Sequence, residues 1–104
     1  MHTNSDSYQA ILQTLASIPA GKVCTYGEVA KLSGNPGKAR YVGHILKKLP
    51  QTSKIPWHRV INSQGASSFP ENSEHFLVQI GRLEQEGIQV KNGKISLKEY
   101  LWRG

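Results

Sequence analysis

The run Thr25-Tyr26-Gly27-Glu28-Val29-Ala30-Lys31-Leu32-Ser33-Gly34-Asn35-Pro36-Gly37-Lys38-Ala39-Arg40-Tyr41-Val42-Gly43-His44-Ile45-Leu46-Lys47-Lys48-Leu49 decides the fold. Its first four residues match a capping box, in which the Thr25 hydroxyl takes the amide of Glu28 and the glutamate reaches back. A helix starts there, with Val29, Ala30 and Leu32 on its inner face. Ser33-Gly34-Asn35-Pro36-Gly37 ends it, since glycine and proline punctuate the helical pattern. From Lys38 to about Leu49, Val42, Ile45, Leu46 and Leu49 share one helical face, while Arg40, His44 and Lys47 recur on the opposite one. Two short helices joined by a glycine-containing loop, the second basic on its outer side, form a helix-turn-helix. Arg40 lies in the first turns of the second helix, where base edges are usually met. An ordinary helical hairpin with a solvated basic face has the same pattern, so the motif alone leaves both readings open.

Towards the N-terminus, Tyr8, Ile11, Leu12 and Leu15 fall at i, i+3, i+4, i+7. They predict an amphipathic helix from Asp6 or Ser7 to Ser17, stopped by Pro19 and Gly21, with Lys22-Val23-Cys24 as a short extended link. Beyond Pro50 a polar loop leads to Ile55-Pro56-Trp57-His58-Arg59-Val60, and Val60-Ile61 reads as a short strand closed by Asn62-Ser63-Gln64-Gly65. Ala66 to Ser73 reads as a mobile, irregular loop. Phe76, Leu77, Ile80 and Leu83 restore the helical period, and Gly87 is placed to close that fourth helix in the left-handed conformation. Asn92-Gly93, between Ile88–Lys91 and Lys94–Leu97, signals a β-hairpin. Tyr100 and Trp102 are expected to pack the tail onto the domain. The expected fold is a single domain over residues 1–104, mainly α with a small β component, winged helix-turn-helix-like, with a C-terminal β-hairpin.

The chain has 104 residues, room for one domain, and carries 13 Lys and Arg against 7 Asp and Glu, a net charge of +6. That excess suits a partner rich in phosphate. No apolar run approaches bilayer length, so no membrane association is expected. Met1 to Asp6 has neither the basic nor the apolar region of a secretory signal. The single cysteine, Cys24, cannot form an internal disulfide, and a cytoplasmic protein is the default reading, at the nucleoid in a bacterium or in the nucleus in a eukaryote. Without a glycine-rich phosphate loop, nucleotide hydrolysis is not indicated. His2, His44, His58 and His75 are scattered and give no zinc spacing, so no metal and no cofactor are expected.

Trp57 stands between a proline and a His-Arg pair. Pro56 fixes its own φ and pushes Ile55 towards an extended conformation, so the indole leaves a rigid bend, either into the core or towards a cleft. Read in order, Ile18-Pro19-x-Gly21-x-Val23-x-Thr25-Tyr26-Gly27, Gly34-Asn35-Pro36-x-x-Ala39-Arg40-x-Val42-Gly43, Ile55-Pro56-Trp57-His58-Arg59-Val60 and Glu86-Gly87 resemble the DNA-binding domain of the O6-alkylguanine-DNA alkyltransferases. The resemblance covers roughly Tyr8 to Gly87. In that family the third motif is Pro-Cys-His-Arg-Val, and its cysteine accepts the alkyl group. Trp57 stands in that place, which makes the chain similar to the alkyltransferase-like proteins, which bind alkylated guanine in DNA without repairing it directly.

The resemblance implies a monomer whose partners are double-stranded DNA containing O6-alkylguanine and, after recognition, nucleotide excision repair proteins. It implies that Arg40 enters the duplex in place of a flipped nucleotide and that Tyr26 presses on the adjacent phosphate. A lesion pocket would comprise Tyr26, Pro56, Trp57, His58, Arg59, Val60 and Glu86. Lys38, His44, Lys47 and Lys48 are candidate phosphate contacts by their charge. The chemistry of Trp57 agrees: an indole N–H only donates and cannot act as the nucleophile of an alkyl transfer, so no catalytic residue is expected. His58 and Glu86 resemble the pair that activates the family's thiolate, and here they have nothing to activate. An indole can instead offer an apolar wall and one hydrogen-bond donor to an extruded base. Ala66-Ser67-Ser68-Phe69-Pro70-Glu71 departs from the family's glycine-rich loop, which leaves the pocket's shape open. Two other functions fit the same pattern: a sequence-specific helix-turn-helix regulator, and a transferase or hydrolase using Cys24.

Overall fold

Helix α1 (Thr3–Ser17) buries Ile11 and Leu15 completely, an i, i+4 pair of the stripe read from the sequence. The computed structural model describes residues 3–104, with side chains from residue 6 onward; Met1 and His2, part of the segment inspected for a signal, lie outside the described residues. The helix begins before Asp6, ahead of the expected start. Helix α2 (Tyr26–Leu32) follows the threonine half of the capping box: Thr25 is extended and its Oγ1 accepts the Glu28 amide at 3.1 Å. The turn to helix α3 (Ala39–Lys47) uses glycine where the chain needs it, at Gly34 (φ +80°) and Gly37 (φ +83°). Ser7 Oγ donates to Asn35 Oδ1 at 2.8 Å, which ties that turn to α1. Helix α3 ends at Lys47, short of Leu49. The Lys48 and Leu49 amides turn back to Ile45 and Leu46 in tighter bonds before Pro50.

Strand β1 (Cys24–Thr25) pairs in parallel with strand β2 (Val60–Ile61), Cys24 opposite Val60. The expected link at Lys22–Cys24 is therefore partly strand, made so by a partner 36 positions away. The C-terminal tail joins beside it: Val23 N donates to Tyr100 O at 3.0 Å and Trp102 N to Val23 O at 2.8 Å. Strand alternation divides the core in two. Cys24 and Val60 belong to a cluster with α1, α2, α3 and Trp57, against which Trp102 packs as expected of the tail. Val23 and Ile61 face a second cluster with Leu83, Ile88 and Ile95.

Helix α4 (Glu74–Gln85) is capped by Ser73, whose hydroxyl accepts the Phe76 amide at 3.2 Å. It closes in a Schellman motif, with Gly87 at φ +88°, Gly87 N to Glu84 O at 3.0 Å and Ile88 N to Leu83 O at 3.1 Å. The C-terminal hairpin is reduced to its turn. Asn92 and Gly93 take positive φ, and Lys91 and Lys94 exchange both backbone bonds at 2.9 Å. The ladder stops there because Ile95 N bonds Gly65 O at 2.8 Å, and Ser96 caps a short helix α5 (Leu97–Tyr100) through the Glu99 amide. Ser96-x-x-Glu99 is a capping signal that competed with the hairpin. No described helix is long and apolar enough to cross a membrane.

Candidate nucleic-acid interface

The proline bend at Pro56 is followed by one 3-10 turn, Trp57–Arg59, closed by Arg59 N to Pro56 O at 3.1 Å. This turn sends Trp57 to one side and His58 and Arg59 to the other. Arg59 and His58 converge on Glu86 at the end of α4. Arg59 Nη2 donates to Glu86 Oε2 at 2.7 Å, Arg59 Nε to both carboxylate oxygens at 3.1 Å, and His58 Nε2 meets Oε2 at 2.8 Å. The Gly21 amide adds a bond to Oε1 at 3.1 Å, and Arg59 Nη1 reaches Ile18 O at 2.7 Å. The cluster binds the end of α4 to the loop after α1. Burial by itself would raise the Glu86 carboxyl, but the bonds from Arg59, His58 and Gly21 outweigh it and hold its pKa at about 2. His58 is pushed below its ordinary value by burial, against the pull of Glu86. In the neutral ring the Nε2 proton serves Glu86, and the buried Nδ1 has no protein partner.

Trp57 points the other way, into the core, with 4% of its surface exposed. Its Nε1 donates to Gln51 O at 3.3 Å, the carbonyl that also accepts Arg82 Nη2 at 3.0 Å, and the Arg82 guanidinium lies 5.4 Å above the indole. The indole N–H is thus engaged by the backbone, a correction to its expected role as a donor to a base. Phe69 meets the indole edge-on at 5.8 Å and stacks on His75 at 5.0 Å, so the loop expected to be irregular is pinned at its middle. Gln79, a polar residue in the buried stripe of α4, donates to His58 O at 3.2 Å and Val60 O at 2.9 Å and fixes the turn to β2.

An open cleft of about 470 Å³ lies between α2, α3 and the 66–73 loop. Tyr26, Arg40, His44 and Lys47 line it, with Leu46, Ser68 and Phe69 supplying much of the remaining wall. The Tyr26 ring lies along α3 at Gly43, where an added Cβ would stand 3.7 Å from it, in ordinary van der Waals contact. Burial raises the Tyr26 hydroxyl pKa, and a hydrogen bond with Ser68 works against that shift. Lys38 is exposed at the start of α3, and Lys48 sits on the far flank of that helix. Pro56, Trp57, His58, Arg59, Val60 and Glu86 are not among the cleft's lining residues. Trp57 reaches the cleft through Phe69, whereas Arg59 and Glu86 form a clamp elsewhere. Phe69 and Arg82 were missed by sequence reasoning. Their aromatic and cationic partners become neighbours only on folding; the polar Gln79 within an apolar stripe was a signal available in the chain. Among the described residues no group of three or more His, Cys, Asp or Glu side chains is arranged to hold a metal.

Residues 6–88 match the family described as 6-O-methylguanine DNA methyltransferase, DNA binding domain. A DNA base-flipping protein of Vibrio parahaemolyticus is 50% identical over 94 residues, covering 89% of this chain and 92% of that protein. Alkyltransferase-like protein 1 of Schizosaccharomyces pombe is 41% identical over 101 residues, covering 92% of this chain and 94% of that protein. The fold superposes on the crystal structure of S. pombe Atl1 in complex with damaged DNA containing O6-carboxymethylguanine, with a TM-score of 0.88 at 38% identity over 100% of both chains. With its helix-turn-helix, its cleft and these similarities together, the chain belongs to the family of the 6-O-methylguanine DNA methyltransferase DNA-binding domain, on its alkyltransferase-like side.

Proposed function

We propose that the chain binds double-stranded DNA containing O6-alkylguanine, turns the damaged nucleotide out of the stack into the cleft between α2 and α3, and holds it there without alkyl transfer. In this reading Arg40 fills the vacated space, its planar cation suited to stacking and to hydrogen bonding with the orphaned base. Tyr26 bears on the adjacent phosphate, His44 and Lys47 add phosphate contacts, and Lys38 and Lys48 extend them. Phe69, backed by His75 and Trp57, offers the apolar wall for the alkyl group. The Arg59–Glu86–His58 cluster keeps the turn that carries Trp57 in place. The protein acts as a monomer, in the cytoplasm or nucleus where DNA is held, and its bound state marks the lesion for nucleotide excision repair proteins.

The observation that carries the absence of transfer is the state of the chain's single thiol. Cys24 is buried in β1, its Sγ 3.9 Å from Trp102 O, and burial, with the Glu28 charge adding to it, pushes its pKa up to about 12. A thiol in that state supplies almost no thiolate at neutral pH. The test is binding and transfer on matched duplexes with and without a single O6-methylguanine. The expected result is preferential binding of the lesion duplex with the protein's mass unchanged and the alkyl group still on DNA. Equal affinity for both duplexes, or an adduct on any residue, overturns it. A preferred sequence recovered from a random duplex pool would point instead to a regulator.

A further inference from the structure

The Asn92-Gly93 turn carries a lysine on each side, and the contacts proposed at the cleft do not use them. Lys91 and Lys94 stand directly opposite each other and exchange both backbone hydrogen bonds at 2.9 Å, so their side chains leave the same face of the turn. Both are exposed. Among the described residues the ion pairs are those of Glu86 with His58 and Arg59, so neither lysine has a carboxylate partner there. Like charges directly opposite each other repel and cost stability, and an anion held between them removes that cost. A groove of about 270 Å³ beside the turn includes both lysines, Gln64, Gln89, Ser96 and Glu99 in its lining.

The topology places this turn beside the cleft. Strands β1 and β2 are parallel, with Thr25 opposite Ile61, so Tyr26 and the 62–65 turn leave the same end of the pair. Past that turn Ala66 pairs with Lys94 in an antiparallel bridge, and Gly65 O accepts the Ile95 amide at 2.8 Å. Gly65 permits the approach: its φ is +82°, and a Cβ there would collide with the Ile95 carbonyl. In an antiparallel pair the chain from Ala66 to Ser68 runs the way the chain runs from Lys94 back to Asn92. Ser68 lines the cleft and hydrogen-bonds Tyr26. The lysine turn therefore lies on the loop's side of the cleft, across from Arg40, His44 and Lys47 on α3.

A flipped nucleotide stays joined to its strand, so phosphates on either side of it flank the cleft that receives the base. We infer that the 91–94 turn holds a backbone phosphate of the lesion strand on one side of the flipped nucleotide, shared by the Lys91 and Lys94 ammonium groups, with the Gln64 amide as a neutral donor. This rests on the proposed DNA binding at the cleft and adds the C-terminal turn to the contact surface. Such a contact positions the strand and reads no sequence. Glu99 shares the groove and repels the same anion.

The experiment compares the wild-type protein with the double variant Lys91→Gln, Lys94→Gln on a duplex with a single O6-methylguanine and on its undamaged match. Lys22→Gln, at the opposite end of β1, controls for a loss of charge anywhere on the molecule. Both turn lysines are exposed, so unfolding midpoints at or above that of the wild type are expected. The double variant should lose about three- to tenfold in affinity on both duplexes by the same factor and lower the salt slope by about one. Lys22→Gln and the charge-keeping Lys94→Arg should bind like wild type, and Glu99→Gln should bind more tightly. A single methylphosphonate moved stepwise along the lesion strand should reproduce the loss at one position beside the alkylguanine, where the double variant loses nothing further. Unchanged affinity of the double variant, an equal loss per charge in Lys22→Gln, weaker binding by Glu99→Gln, or losses that add at every methylphosphonate overturns the inference. A wild-type protein that ignores the lesion while the turn variant still weakens binding sinks the lesion reading and leaves the turn as a phosphate contact. A wild-type protein that selects the lesion while the turn variant binds like it does the reverse.

Discussion

Trp57 answers two demands with one side chain. It is a member of the larger core cluster, and through Phe69 it supports the cleft wall. Its position behind Phe69, with its N–H on Gln51 O and its face under Arg82, bears on Trp57→Cys, which recreates the Pro-Cys-His-Arg-Val run. Truncating the indole removes the shared partner of Phe69, His75 and Arg82 and leaves a cavity, for which a loss of about 3–5 kcal/mol in unfolding free energy is expected. The neutral His58 ring has a free Nδ1 acceptor, but a thiol is smaller than the indole and starts one ring behind the cleft, and small misplacements cost orders of magnitude in rate. Denaturant unfolding and the mass of the variant after incubation with O6-methylguanine duplex check this. Rapid stoichiometric transfer would mean that position 57 reaches the base directly.

Helix α3 is the element on which the proposed binding turns. Val42, Ile45 and Leu46 are buried against α1 and α2, so the register of the helix is set by its apolar face and Arg40 is left exposed at its first turn. Arg40→Ala removes nothing from the core, and its unfolding midpoint is expected to stay close to wild type. Turning a nucleotide out costs a few kcal/mol of stacking and pairing, and a residue that occupies the gap offsets that cost only on the lesion complex. Arg40→Ala is therefore expected to lose most of the discrimination between lesion and undamaged duplex and to retain weak non-specific binding. Titration followed by tryptophan emission in a Trp102→Phe background reads this through Trp57. An equal fall on both duplexes would make Arg40 an ordinary phosphate contact. The fourth helix and its clamp hold the turn at Trp57–Arg59 between α4 and the loop after α1.

At the scale of the whole molecule that clamp sets the response to acid. His58 has a folded pKa below its ordinary 6.5 and Glu86 a folded pKa of about 2 against 4.5. Both shifts are downward, so in each case the unfolded chain takes up the proton first, and the stability is full above the unfolded value and lost as pH falls. Unfolding midpoints measured from neutral pH downward are expected to begin falling below about pH 6.5 as His58 titrates in the unfolded chain, then to fall further between about pH 4.5 and 2 as Glu86 follows. Glu86→Gln should abolish the lower step and cost about 2 kcal/mol at neutral pH by leaving Arg59 without its anion. A profile flat to pH 3 would contradict the assignment. The sequence by itself determined the helix-turn-helix, the buried stripe of α3, the Thr25 cap, the Gly87 stop and the Asn92-Gly93 turn, because each depends on residues within a turn or two of one another, where periodicity and cap chemistry act; the stripes read on α1 and α4 held in part, since Tyr8 and Leu77 stay exposed and Gln79 is buried. Its motifs also marked Tyr26, Arg40, His44 and Lys47, which one face of α3 and the start of α2 bring to a single cleft. Only the tertiary structure decided that Cys24 pairs with Val60, that Ile95 leaves the hairpin for Gly65, that the Gln51 carbonyl accepts from the indole N–H, and that Phe69 rather than Trp57 lines the cleft. Those outcomes join residues distant in the chain, and they are settled by which buried polar groups find partners and which apolar rings fill the space between elements, quantities no local pattern contains.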